Sequence, residues 1–215
     1  MEKSPENFTN ADEGLDRVEA DLQAAPTVAN YKNLVKNEFL NDADVDEVLR
    51  LYPAATDADV PNAFSALDPD YEFVFTTYHL AQVSSRSGQK TWFYYFTYKD
   101  KAHEDWGAYH GIDLNFLTGW FRSKRWGKPD AEDEKLVQTM TGYWTRFAKT
   151  GYPNGPGLPP WPVYDPKSDL VLEIGHEVKP RPTPHTDRFA VFERNLNSQL
   201  ASIPRPGTSH ATPQK

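Results

Sequence analysis

The stretch Thr91-Trp-Phe-Tyr-Tyr-Phe-Thr-Tyr98 decides the fold, because it is apolar and aromatic at consecutive positions and not only at alternate ones. Successive side chains of a strand point to opposite faces of a sheet, so this composition predicts a strand that is covered on both sides. A second, weaker strand is predicted at 170–174, where we expect an edge of the sheet. Helical patterns before and after the strong strand favour an α/β fold that is mostly helical.

Two strands are too few to pair all the backbone hydrogen-bonding groups of the predicted sheet. The backbone N–H and C=O groups of 91–98 need partners on both sides. Either further strands lie in segments whose periodicity predicts helix, or the chain is part of a larger fold. We therefore expect the sheet to be incomplete.

Helical periodicity and capping residues predict most of the remaining elements. A helix is predicted behind the cap Thr27, a second one stops at Pro53, and a third follows a joint rich in Pro and Asp, with Phe73, Val74, Tyr78, Ala81 and Val83 turned inward. The predicted helical ranges are Leu15–Leu22, Val28–Phe39, Val45–Leu51, Asp70–Arg86, Asp130–Lys149, ended by Gly151, and Asp187–Leu200. Residues 1–203 are expected to form one segment of a domain and 204–215 a disordered tail.

Composition excludes several classes of function. The net charge of −8 opposes nucleic-acid binding, and the short basic cluster Arg122–Lys128 is typical of a solvated loop. With no cysteine, the chain has no disulfide, no thiolate nucleophile and no Cys-ligated zinc. Residues 1–6 lack a signal-peptide core and no apolar window approaches a membrane span, so we expect a soluble chain without an export signal; its compartment stays open.

His110 is the best candidate for chemistry. It stands on a glycine-containing stretch, Gly107-Ala-Tyr-His110-Gly111, shortly after the aromatic strand. Its ordinary pKa of about 6.5 suits proton transfer. The alternative is a loop histidine that hydrogen-bonds to neighbouring backbone. The sequence has no serine in a position where this histidine would activate it as a nucleophile.

A set of motifs, in a fixed order, resembles the C-terminal portion of the type-B carboxylesterase/cholinesterase family of α/β-hydrolases over residues 10–200. The motifs are Asp12-Glu-Gly14, Leu51-Tyr-Pro53, Asp70-Tyr-Glu-Phe73, Phe93-Tyr-Tyr-Phe96, Gly107-Ala-Tyr-His-Gly-Ile-Asp113, Tyr143-Trp-Thr-Arg-Phe-Ala-Lys-Thr-Gly-Tyr-Pro-Asn154 and Trp161-Pro-Val-Tyr164. The resemblance implies that His110 is the catalytic base and Glu13 the acid that orients it. For Glu13 the alternative is a solvated surface carboxylate.

The family's Gly-x-Ser-x-Gly elbow and its glycine-rich oxyanion loop do not occur in this sequence. The expectation is therefore a C-terminal segment of a carboxylesterase that hydrolyses carboxylic esters only when the missing portion is supplied, in association with a complementary chain and without a cofactor. Two alternatives stay open, a non-catalytic cholinesterase-like binding module and a truncated product without a stable fold.

Other polar residues receive structural interpretations. Asp113 is predicted to cap the segment Leu114–Gly119, with a partnership to His110 as the alternative. His103, Glu104, Asp105 and His110 do not have metal-site spacing, so no metal is expected. His79 is predicted to be a hydrogen-bonded core or boundary residue. The remaining histidines need no function: His176, His185 and His210.

Overall fold

Four strands form one open, mixed sheet in the computed structural model, which describes residues 6–12, 25–99, 107–119 and 128–203. The strands are β1 (Glu6–Asn10), β2 (Trp92–Phe96), β3 (Leu170–Ile174) and β4 (Val178–Pro182), in that spatial order. β1, β2 and β3 run parallel, and β4 runs antiparallel to β3. Glu13, the predicted helix Leu15–Leu22 and the predicted tail 204–215 lie outside the described residues.

β2 is buried at all five residues, as its composition predicts. Phe93 and Tyr95 pack against the core on one face, while Trp92, Tyr94 and Phe96 pack against the core on the other. Both faces of the sheet are covered by helices, so this prediction is confirmed. The strand at 170–174 is also confirmed, but its predicted edge position is wrong, because β3 pairs with both β2 and β4.

The two strands that the sequence did not predict have physical reasons to be inconspicuous. β1 reads Glu-Asn-Phe-Thr-Asn, and pairing along the whole of β2 gives it a strand conformation that its own composition does not favour. β4 contains Pro180 and Pro182, which strands tolerate only at a sheet edge. Strands were therefore missing from the prediction, and β2 has a neighbour on each side.

Seven α-helices and one π-helix surround the sheet in the described residues. α1 to α4, a π-helix and α7 cover one face, and α5 and α6 cover the other. Their bounds are α1 (Val28–Glu38), α2 (Asp42–Leu51), α3 (Val60–Asp68), the π-helix (Pro69–Phe75), α4 (Thr76–Arg86), α5 (Ile112–Thr118), α6 (Ala131–Thr150) and α7 (Phe189–Ser202). None of the described helices is both long and apolar enough to cross a membrane.

The caps predicted for α1 and α6 are present. Thr27 Oγ1 accepts the Asn30 N–H at 3.2 Å before α1. Asp130 accepts two N–H groups at the start of α6, and Asp133 returns a carboxylate oxygen to the Asp130 N–H, which completes a capping box. Gly151 ends α6 in the left-handed conformation with φ of +70°.

The predicted helix Asp70–Arg86 is only the later part of a longer helical run. The run begins at Val60 with Pro61 in its first turn, where a missing N–H costs nothing, and π geometry begins at Pro69. Three of the residues predicted to face inward are buried or half-buried in this run, and Ala81 is fully buried. Val83 is 46% exposed, so that part of the prediction is wrong.

Candidate functional site

His110 lies on the turn that leads into α5, at the carboxyl end of the parallel strands. Its side chain is exposed, and its ring centroid lies 5.3 Å from that of Phe73, at an interplanar angle of 51°. Gly111 follows with φ of +75°, a conformation that favours glycine. In open α/β sheets this end of the strands is where ligands bind. The histidine is thus presented to solvent on one side and to an aromatic ring on the other.

The π-helix that carries Phe73 is anchored by a buried carboxylate. Asp70 is 2% exposed and accepts a hydrogen bond from the Tyr52 hydroxyl at 2.7 Å and one from Arg188 Nη1 at 2.9 Å. His185 Nδ1 contacts its other oxygen. Three side chains therefore converge on Asp70, and Phe73 lies one turn along the same helix. Of its three partners only Tyr52 belongs to a motif that the sequence singled out.

The turn after β1 contacts the loop that precedes His110. The Asp12 N–H donates to Ala108 O at 3.0 Å, and the Ala108 N–H donates to Asp12 Oδ2 at 2.8 Å. Lys99 Nζ lies 3.2 Å from the same carboxylate oxygen. Glu13, the predicted acid, is the next residue after Asp12 and lies outside the described residues. The structure thus brings together the two segments that carry the predicted site residues.

Asp113 lies beneath the histidine turn and is not a helix cap. It is the second residue of α5, is 1% exposed, and accepts hydrogen bonds from the Tyr94 hydroxyl at 2.6 Å and from Asn10 Nδ2 at 3.2 Å. The capping prediction is wrong, because the position before α5 is the left-handed Gly111 and the Asp113 side chain faces the sheet. Asp113 ties α5 to β1 and β2 instead.

Two buried tyrosines near Asp70 keep their protons. Burial raises the pKa of Tyr52 above its ordinary value of 10.0, and the charge of Asp70 raises it further. Burial also raises the pKa of Tyr95, with the charges of Asp70 and Asp12 in support. Each phenol is therefore a neutral group at neutral pH, and Tyr52 remains a hydrogen-bond donor to Asp70.

A separate groove of about 920 Å³ lies between the first half of α6 and the β3–β4 hairpin. His176 stands on its wall, with Nδ1 2.7 Å from Glu132 Oε1 and its ring 4.8 Å from that of Tyr98. None of the groove's lining residues belongs to the His110 turn. Its walls carry charges of both signs, from Glu132 and Glu177 and from Lys135 and Lys179.

The remaining predictions about histidines and metals have mixed outcomes. His79 is half-buried and lies 3.6 Å from Glu193, which fits the boundary position predicted for it. No group of three or more His, Asp or Glu residues able to hold a metal is found in the ranges that the structure describes. His103, Glu104 and Asp105 fall outside those ranges, so the expectation there stays a prediction.

Residues 4–192 match the model of the carboxylesterase family. The chain belongs to this family, that of the type-B carboxylesterases and cholinesterases. Membership accounts for the α/β architecture, since the family has the α/β-hydrolase fold.

Individual relatives align with parts of the chain. It is 35% identical to acetylcholinesterase 1 of Caenorhabditis briggsae over 97 residues, which are 43% of this chain and 16% of that protein. It is 32% identical to carboxylesterase 4A of Bos taurus over 146 residues, 66% of this chain and 24% of that protein. It is 30% identical to fumonisin B1 esterase of Sphingopyxis macrogoltabida over 177 residues, 79% of this chain and 32% of that protein. The chain thus spans a third or less of these relatives.

The sequence nominates His110 and the acid turn, Asp12-Glu-Gly14, but not the residues whose contacts hold these segments in the structure. Asp12 occurs only as part of the acid motif, and none of the motifs includes Arg188. The available signal for Asp12 was indirect, because Gly107 stands where a side chain would meet the Asp12 carboxylate. For the pairing of Arg188 with Asp70, 118 residues apart, the sequence offers no local signal.

Proposed function

We propose that this chain is the C-terminal part of a type-B carboxylesterase and supplies the base and the acid of a Ser-His-Glu triad. His110 is the base, and Glu13 is the acid that orients its imidazole. The nucleophilic serine and the oxyanion donors come from polypeptide outside these 215 residues, since no Gly-x-Ser-x-Gly elbow occurs in the sequence. The substrate of the assembled enzyme is a carboxylic ester, and residues 1–203 belong to a single catalytic domain.

The proposed chemistry divides ester cleavage into two steps. His110 takes the proton of the serine hydroxyl as its oxygen attacks the ester carbonyl, and returns that proton to the departing alcohol. Water then attacks the acyl-enzyme with the same histidine as base. Glu13 keeps the imidazole in the tautomer with its proton on Nδ1 and stabilises the imidazolium. Because the chain alone lacks the attacking oxygen, we expect no turnover from it.

The observation that carries this proposal is the pair of hydrogen bonds between Asp12 and Ala108. They bring the residue before Glu13 against a residue two positions before His110. Two residues 96 positions apart are thereby held in contact at the carboxyl end of adjacent parallel strands. An orienting acid must lie within hydrogen-bond reach of its histidine, and this arrangement supports such a distance.

The two edges of the sheet support the view that further strands join at β1. β4 is protected as edge strands usually are, by Pro180, Pro182 and the charged Lys179 and Arg181. β1 has a strand partner on one side only among the residues that the structure describes, and it carries no proline. Leu80, on α4 beside β1, is 49% exposed. This combination favours an edge that a complementary portion covers.

Hydrolysis of a p-nitrophenyl ester tests the proposed function. The chain alone is expected to match the buffer rate. Mixed or co-expressed with a carboxylesterase portion that carries the Gly-x-Ser-x-Gly elbow and ends before the acid turn, it is expected to hydrolyse the ester. His110→Ala and Glu13→Gln should lower that rate, the former by about a thousandfold or more. His176→Ala, in the separate groove, is the matched control and should leave it unchanged.

Two results would overturn the proposal. Turnover by the chain alone that His110→Ala abolishes would mean that the nucleophile lies within these residues. Stable assembly with the complementary portion, without hydrolysis but with binding of a partner protein, would favour the cholinesterase-like binding module instead. Amide hydrogen exchange of residues 6–10 separates assembly from activity, because pairing of the β1 edge protects those N–H groups whether or not chemistry follows.

A further inference from the structure

We infer that Asp12 is a positioning residue that sets the distance between the acid turn and the His110 loop. The inference rests on the proposed function of His110 and Glu13, and it assigns to Asp12 no contact with substrate. Its basis is that one residue uses both its backbone and its side chain to hold a single residue of the opposite loop.

The contact between Asp12 and Ala108 has two hydrogen bonds of opposite direction. The Asp12 N–H donates to Ala108 O at 3.0 Å, and Asp12 Oδ2 accepts the Ala108 N–H at 2.8 Å. Ala108 is fully buried, so neither of its backbone groups has water as a ready substitute. A loop held by both its donor and its acceptor at one residue cannot slide or rotate without breaking one bond.

Neighbouring residues fix the geometry of this contact. Gly107 has φ of +62°, and a Cβ there would lie 2.5 Å from Asp12 Oδ2, which no ordinary contact permits. Ala11 extends the pairing from the strands, because its N–H donates to Phe96 O at 2.9 Å. The Lys99 ammonium, 3.2 Å from Asp12 Oδ2, is about half exposed, and such ion pairs contribute little to stability. The hydrogen bonds to Ala108, and not the ion pair, therefore position the loop.

The contact between Asp12 and Ala108 matters because both residues lie close in the chain to the proposed triad residues. Glu13 follows it directly, and His110 follows Ala108 by two residues. Few rotatable bonds separate each proposed triad residue from the clamped pair. Loss of the Asp12 carboxylate frees the His110 loop, and the imidazole then loses its fixed partner and its single tautomer.

Nuclear magnetic resonance of the isotopically labelled chain tests this inference without any need for turnover. The ring ¹⁵N shifts of His110 report its tautomer and its protonation with pH, and amide exchange reports the Ala108 N–H. Asp12→Ala is expected to speed Ala108 exchange by about tenfold or more and to convert His110 from one dominant tautomer to a mixture. Asp12→Asn keeps an acceptor oxygen and should show a smaller effect, and Lys99→Met smaller still.

Gly107→Ala and a remote acid provide the controls. Gly107→Ala leaves Asp12 in place but forces its carboxylate away, so it should reproduce the effect of Asp12→Ala on His110. Asp44→Asn removes a buried carboxylate that binds Arg194 far from this loop, and it should leave the His110 shifts unchanged even if stability falls. If Asp12→Ala does not fold, Asp12→Asn and Gly107→Ala still decide the matter.

The outcomes separate this inference from the proposed function. Unchanged Ala108 exchange and an unchanged His110 tautomer in folded Asp12→Ala or Gly107→Ala overturn the positioning role. The unaltered chain can show a protected Ala108 amide but a His110 ring without a fixed tautomer. That result supports the contact between Asp12 and Ala108 (the clamp) but counts against the role of Glu13. An unchanged clamp with no ester hydrolysis after complementation counts against the proposed function alone.

Discussion

Replacement of Arg188 by methionine tests whether the ion pair between Asp70 and Arg188 stabilises the fold. Met keeps much of the side chain's apolar length but removes the guanidinium that donates to Asp70 Oδ2 at 2.9 Å. The Asp70 carboxylate is 2% exposed, so the variant leaves a buried negative charge without its cation. The guanidinium also lies 5.1 Å from the centre of the Tyr52 ring, and that contact is lost as well.

The expected loss follows from this burial. Removal of one partner of a buried ion pair typically costs about 3–5 kcal/mol. Arg188 is 31% exposed, and Tyr52 and His185 still contact Asp70, so we expect the lower end, about 3 kcal/mol. Asp70→Asn is the reverse case. It leaves Arg188 able to reach water, and we expect about 1.5 kcal/mol, the value of one charged hydrogen bond.

Urea unfolding followed by far-ultraviolet circular dichroism measures both losses. With a slope of about 2–3 kcal/mol per molar urea, the Arg188→Met midpoint should fall by about 1 M. The double variant should lose less than the sum of the single losses, because no uncompensated charge is created. Arg50→Met, at a side chain that is 71% exposed, is the control and should change stability by less than about 0.5 kcal/mol. An Asp70→Asn loss equal to or larger than that of Arg188→Met would refute the reasoning.

Three further predictions concern caps and buried rings. Asp130→Ala removes two hydrogen bonds at the start of α6 and should cost about 1–2 kcal/mol in urea unfolding. Tyr94→Phe removes the 2.6 Å donor to the buried Asp113 carboxylate and should cost about 1.5–3 kcal/mol by the same assay, whereas Tyr152→Phe on the surface should cost much less. Alkaline titration at 295 nm should show six tyrosines ionising only as circular dichroism is lost, because burial raises their pKa above 10.0 in the fold. The stability that these protonated phenols add is therefore complete below pH 10.0 and falls above it. These are Tyr31, Tyr52, Tyr95, Tyr98, Tyr143 and Tyr164.

Each of these predictions has a contrary result. Unchanged stability of Asp130→Ala would mean that tertiary packing alone holds the start of α6. Equal losses for Tyr94→Phe and Tyr152→Phe would mean that the bond to Asp113 contributes nothing. Reversible ionisation of all eleven tyrosines near pH 10.0 with an intact fold would contradict the burial of their hydroxyls.

The sequence predicts a helix or strand when the residues that cause it lie within or next to that element. β2 was predictable because five consecutive buried residues require cover on both faces. α6 was predictable because its cap, its apolar stripe and its terminal glycine all lie within or directly next to the helix. β1 was not, since its strand conformation comes from pairing with a segment 86 positions away, as in the register of Glu6 with Trp92. The prolines of β4 are a signal against a strand unless its edge position is already known.

The candidate site divides in the same way. The motif around His110 was sufficient to nominate the base, and the acid turn was nominated with it. The contacts that hold the loop are non-local, since Asp12 reaches Ala108 and Asp113 reaches both Tyr94 and Asn10. The failed cap prediction for Asp113 has the same origin. A single sequence shows an acid near a helix start, but it does not show the sheet beneath it.

Completion of the sheet and completion of the proposed triad involve the same strand. β1 pairs with β2 along one side, and the residue that directly follows its end, Ala11, still pairs with Phe96 before the acid turn begins. A strand added at the side of β1 that has no strand partner among the described residues therefore extends the sheet next to that turn. In the α/β-hydrolase family the nucleophile precedes the acid in the chain, so its strand belongs to the portion that would join there. Assembly at β1 would thus bring a serine to the end of the sheet where His110 already lies, and stability and activity would be gained together.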